Sequence, residues 1–271
     1  MIDSSIYTNL LAELNPLEPV LQKPLFSIFI GPWQVSVSNH MFMVTLGTIF
    51  LLIAIPLAAK QNHSLVPRGM RNLLESICVF FREEVVRPVL KNHTDKYIGF
   101  IWTVFFFILT LNLLGMVPIE KIITLITGKP SHYGGAATAN IWVTGAMAVV
   151  VFFMFHFVGI KEQGLRHYLV NLAPPVPWPL IPLIYFLELV SSFIRPFTLA
   201  IRLFANIAAG HMIIATFIGL ILVFQSFSIA VLSLGFTLFL TLLDVLVAFI
   251  QAFVFALLCT LYFGFAIEAE H

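Results

Sequence analysis

From about Leu183 the chain runs almost to its end through two apolar tracts, roughly Leu183–Phe224 and Ile229–Ala266, interrupted only near Gln225-Ser-Phe-Ser228. As a straight helix each would exceed about 50 Å, well beyond the roughly 30 Å of a bilayer's hydrocarbon core. Either each tract folds back as a short hairpin or both lie strongly tilted in the membrane. No Gly/Pro turn cluster divides either tract midway, which favours two long tilted helices. Composition points the same way, because only 10% of the residues are charged and 60% are hydrophobic. A soluble domain carries roughly 25% charged residues. The fold class expected is therefore an all-α integral membrane protein, with lipid as its solvent. A net charge of +1 offers no basic face for phosphates, so nucleic acid is not an expected partner.

Three shorter uncharged runs precede the long tracts: Met41–Ala59, Ile98–Pro118 and Ile141–Ile160. With them the count is about five transmembrane helices. The stretch Thr127-Gly-Lys-Pro-Ser-His-Tyr-Gly-Gly135 links the second run to the third as a helical hairpin, and Pro174-Pro-Val-Pro-Trp-Pro179 breaks the chain before the long tracts. Lys60, Arg68, Arg71, Arg82, Arg87, Lys91 and Lys96 lie between the first and second runs and make up half of all Lys and Arg. The positive-inside rule puts that loop on the inner side, the N-terminus outside and the C-terminus inside. Within the loop, Met70, Leu73, Leu74, Ile77, Phe81 and Val85 recur at helical spacing opposite Arg71, Glu75, Arg82 and Glu83. That pattern predicts an amphipathic helix, lying in the membrane interface or packed on a partner's soluble part.

The expected organisation is an outer segment over residues 1–40, a first transmembrane helix over 41–60, and an inner loop with its amphipathic helix over 61–97. A transmembrane hairpin follows over 98–160, then an inner loop and the two long helices over 161–271. Gly31-Pro32 predicts a small outer turn ahead of the first helix. The opening Met-Ile-Asp-Ser-Ser lacks the basic region of a cleaved signal peptide and the Arg-rich pattern of a transit peptide, so the first apolar run is expected to stay in the mature protein. Cys78 and Cys259 sit in apolar stretches and read as small core residues.

The informative residues are the polar ones inside the long tracts: Glu188, Arg195, Arg202, Asn206, His211, Asp244 and Gln251. A charge at mid-membrane costs about 2.5 to 3.5 kcal/mol on insertion scales, so each needs a partner, water or a task. Glu188, Arg195 and Arg202 are seven apart and Asn206 follows by four, which places all four on one stripe. His211 is nine residues beyond Arg202, about 900° of rotation, and so faces the opposite way. Asp244 and Gln251 share a face of the last helix. The arrangement suits two wet clefts meeting near one fixed positive charge. Glu188 and Arg195 could instead form an ion pair, His211 and Asp244 could satisfy each other or relay protons, and Asn206 and Gln251 could be interhelical glue. The other histidines, His156 among them, show no metal-ligand spacing. No metal, cofactor or nucleophile motif occurs, so no catalysis by the chain alone is expected.

Arg202-Leu-Phe-Ala-Asn-Ile-Ala-Ala-Gly-His211 resembles the pattern R-L-x-x-N-x-x-x-G-[E/H] of subunit a of the F-type ATP synthase. Asn112-Leu-Leu-Gly-Met-Val-Pro118, Glu188 fourteen residues before the arginine, and Gln251-Ala-Phe-Val-Phe255 agree with it. The resemblance implies the stator half of a proton turbine, facing a c-ring of proteolipid subunits that each carry a mid-membrane carboxylate. It also implies contact with the peripheral-stalk subunit b and the other synthase subunits. Arg202 would be the essential arginine, Asn206 and Gln251 its polar neighbours, His211 and Asp244 the lining of the outer half-channel, and Glu188 that of the inner one. The sequence departs at Asp244, where many bacterial members carry His and organellar members Glu, and at His211, where many bacteria have Glu. A bacterial inner membrane is the expected location, an organellar inner membrane the alternative. The rival functions are a stand-alone proton-coupled transporter using Glu188, Asp244 and Arg202, and a membrane enzyme using His211 and Asp244 as acid and base.

Overall fold

The computed structural model of the chain describes residues 22–30, 33–59, 69–117, 119–128, 133–171 and 177–267. The extreme N-terminus, Gly31-Pro32, Lys60, His63, Arg68, Lys129, His132, residues 174–176 of the Pro-rich breaker and the side chains of Lys121 and Arg195 lie outside the described residues.

Strands β1 (Pro24–Ile30) and β2 (Trp33–Ser38) form an antiparallel pair in which Ser27 meets Ser36 and Ile28 meets Val35. The alternation Val35-Ser-Val-Ser38 suits a strand, so a two-stranded ribbon stands beside the turn expected there. It leads directly into α1 (Asn39–Ala59), the first expected crossing. The amphipathic helix is α2 (Met70–Phe80), which continues through a π-helical turn at Phe81–Val86 into α3 (Arg87–Leu90). The transmembrane hairpin is α4 (Thr94–Met116) and α6 (Ile141–Gln163), with an additional short helix α5 (Ile119–Thr127) in its connection. After α7 (Leu165–Asn171) come α8 (Ile181–Phe224) and α9 (Phe227–Ile267), continuous helices of 44 and 41 residues. They are not hairpins, and each has roughly twice the 20 residues needed for a crossing, long enough to span a bilayer with tilt. Gln225, at φ 46°, makes the break between them. Among the described residues five helical segments are long and apolar enough to cross a membrane.

The chain divides into two compact units, and α8 and α9 each contribute to both. The first comprises residues 1–47, 109–143 and 202–250. Its core packs Ile207 and Ala208 of α8 on Ala136 and Ala139, with Phe204 and Met212 alongside. Asn39, at the start of α1, accepts a hydrogen bond from the Lys23 amide at 3.1 Å and donates one to the Gly134 carbonyl at 3.0 Å. The Lys23 ammonium lies 3.2 Å from Glu120 of α5. These bonds tie the ribbon, α1 and the connection before α6 together where buried backbone groups need partners.

The second unit comprises residues 48–108, 144–201 and 251–271. Phe81 packs on Phe105 and Phe253 with ring centroids 4.5 and 5.6 Å apart, and Phe263 stacks on Phe100 at 5.5 Å. The amphipathic face expected from Met70 to Val85 is divided: Phe81 and Val85 are buried, while Met70 and Leu73 are exposed. Glu162 at the end of α6 holds Lys96 and Tyr97 of α4, and Gln163 donates to the Ala266 carbonyl at 2.7 Å.

Candidate functional site

The segment Arg202–His211 of α8 has two distinct faces. Leu203, Ile207 and Ala208 are buried, whereas Arg202, Ala205, Asn206 and Ala209 are exposed. A period of 3.6 residues separates the two sets, because the apolar members recur at steps of four and one on the packed side. Arg202 therefore points off the unit, and it makes no ion pair with any described carboxylate. The outward surface of α9 in the same unit is apolar, with Leu238 73%, Leu242 70% and Leu246 58% exposed. A permanent cation on a membrane helix, paired with no described carboxylate, needs water or an acid group to meet it.

His211 is half-buried, on the side of α8 that packs, as its nine-residue offset from Arg202 requires. Asp244 of α9 is also half-buried and rests against the α8 backbone at Gly210. A Cβ at Gly210 would lie 2.6 Å from Asp244 Oδ2 and 2.9 Å from its Cγ, so the close approach depends on the missing side chain. His211 and Asp244 are thus drawn to one region, yet no hydrogen bond or ion pair joins them. Asn112 of α4, fully buried, donates a long 3.4 Å hydrogen bond to the Ala248 carbonyl one turn beyond Asp244. Its Oδ1 is buried with no hydrogen-bond partner among the described residues. Glu188, half-buried, and Gln251, 4% exposed, belong to the second unit.

The sequence compares directly with known proteins, and residues 40–264 match the family described as ATP synthase A chain. The chain belongs to that family. Among its relatives, ATP synthase subunit a 2 of Prosthecochloris aestuarii is 34% identical over 258 residues, 93% of this chain and 75% of the relative. ATP synthase subunit a of Myxococcus xanthus is 35% identical over 245 residues, covering 89% and 76%. ATP synthase subunit a 2 of Chlorobaculum tepidum is 34% identical over 254 residues, covering 92% and 68%.

In this member of the family the Arg202–His211 motif spans both faces of one helix, and at Gly210 the second long helix comes against it through Asp244. Sequence reasoning left Gly210 and Asn112 among the family's motif letters without a role. The only signal for either was its place in that motif, because a glycine inside a helix and a polar residue inside an apolar run each report an unspecified close contact.

Proposed function

We propose that the chain is the ion-translocating stator of the membrane sector of a bacterial ATP synthase, seated in the inner membrane and coupling proton flow to rotation of a ring of small proteolipid subunits. The observation that carries this reading is Arg202, exposed on an apolar membrane helix without an ion pair to a described carboxylate. A guanidinium keeps its charge in proteins and favours the ionised form of each ring carboxylate that passes. It gates without relaying. His211 and Asp244 line the outer half-channel, Glu188 the inner one, and Asn206 and Gln251 are the polar neighbours of the arginine. A proton entering from outside neutralises a ring carboxylate, the ring turns through lipid, and the proton leaves on the inner side near Arg202. The gradient supplies about 2.3 kcal/mol per charge per 100 mV. The chain has no catalytic role alone; subunit b and the remaining synthase subunits hold it against the torque.

Purified under mild detergent, the chain is expected to bring down a ring of hairpin proteolipids, and a chain that moves a solute alone would instead support a secondary transporter. Asp244→Asn removes the titratable group while keeping the shape that fits against Gly210. It is expected to slow proton translocation about tenfold or more, in line with the loss of a positioned acid or base. Translocation in vesicles at an unchanged rate would make Asp244 a packing residue.

A further inference from the structure

Within the unit that carries Glu188, side chains from three helices form a continuous hydrogen-bonded line. Tyr168 Oη of α7 lies 2.6 Å from His156 Nδ1 of α6, and His156 Nε2 lies 3.1 Å from Ser192 Oγ of α8. Tyr168 is 6% exposed and Ser192 5%. The rings of Phe152 and Phe155 pack on the imidazole with centroids 4.3 and 4.8 Å away, so both ring nitrogens are served by hydroxyls inside an aromatic wall. Space for the phenol comes from Gly159, where a Cβ would lie 2.3 Å from Tyr168 Cε2. Ser192 follows Glu188 by one helical turn, which puts both on the same face of α8. Tyr168 stands on a helix whose Arg166 and His167 are exposed, after the end of α6 that the positive-inside rule assigns to the inner surface.

The line has one hydrogen bond for each helix pair, α7 to α6 and α6 to α8, which would already serve as interhelical glue. An imidazole with a hydroxyl at each nitrogen also conducts, because its nitrogens exchange donor and acceptor roles. We propose that Ser192, His156 and Tyr168 form a proton wire that runs from the level of Ser192, beside Glu188, to the inner surface and so completes the inner half-channel. This rests on the reading of Glu188 given above. In each transfer the Ser192 hydroxyl gives its proton to Nε2 while receiving one from the Glu188 side. The Nδ1 proton passes to the phenol oxygen, and the phenol's own proton leaves to water at the inner surface. One proton has then crossed, only N–H and O–H bonds have changed, and the imidazole holds its other tautomer until ring and hydroxyls reorient. Burial, with Tyr185 adding to it, pushes the Tyr168 phenol up to about 12, so it remains a neutral O–H at cellular pH.

The test uses the intact synthase in membrane vesicles, with ATP-driven proton pumping and complex assembly both measured. Tyr168→Phe keeps the ring beside Gly159 and removes only the hydroxyl. His156→Gln keeps a side chain that hydrogen-bonds but does not exchange protons. Both are expected to assemble fully and to pump about tenfold more slowly. Full-rate pumping by either assembled variant overturns the wire, since a structural tether tolerates Gln; if His156→Gln does not assemble, Tyr168→Phe decides alone. Glu188→Gln run in parallel separates the two ideas. A slow Glu188→Gln beside normal wire variants overturns the wire only, and a normal Glu188→Gln beside slow wire variants overturns the Glu188 assignment only.

Discussion

Replacing Arg202 with alanine is expected to abolish ATP synthesis driven by a proton gradient while leaving the complex assembled. The side chain stands on the exposed face of α8, and the residues that pack that helix, Leu203, Ile207 and Ala208, are untouched by the change. Stability should therefore move little, as for surface substitutions generally, which fall within about 0.5 kcal/mol. Function should not survive. On the proposed reading, without a fixed cation nothing favours the ionised form of a ring carboxylate at the stator, and about 2.3 kcal/mol per charge per 100 mV is dissipated without rotation. Arg202→Lys is expected to fall well short of the native rate, because a desolvated ammonium can lose its proton where a guanidinium keeps it. Near-normal synthesis in vesicles of the alanine variant would remove the stator reading.

The second large effect is expected at Gly210. Its Cα carries no side chain where Asp244 Oδ2 would sit 2.6 Å from a Cβ, so Gly210→Val drives branched methyls into the carboxylate and pushes α9 off α8. Overpacking of this kind costs about 1 to 3 kcal/mol. The functional loss should be larger than the loss in stability, since a displacement of about 1 Å at a reacting group can lower a rate about a hundredfold. Gly210→Ala should lie between, because the clashing atoms end a short side chain that can turn. Yield of assembled complex and ATP-driven pumping, measured together, test this. Full pumping by the valine variant would show that the α8 to α9 approach at this point has no bearing on transport.

The crossings were legible because lipid imposes a length: Met41–Ala59 and Ile141–Ile160 had to be spans, and α1 and α6 begin or end within a few residues of them. The continuity of α8 and α9 followed from the lack of turn residues. The opposed directions of Arg202 and His211 followed from counting residues, because rotation per residue is a local property. What counting leaves open is which side chain on another helix comes near. The seat of Asp244 against Gly210 depends on how two helices slide past each other, and the two tracts contain no mark of that register. His156 illustrates the same limit. It read as a lone histidine because its partners, Tyr168 and Ser192, lie 12 and 36 residues away on other helices. Ribbon β1–β2 was half visible, as an alternating strand beside a turn whose partner strand carried no clear alternation.

The outward guanidinium also bears on biogenesis. On the proposed reading, a newly inserted copy without its ring partner must leave that group against acyl chains or draw in water and headgroups, at about 2.5 to 3.5 kcal/mol on insertion scales. On the proposed reading, the exposed charge therefore makes an unassembled copy costlier to keep in the bilayer than an assembled one.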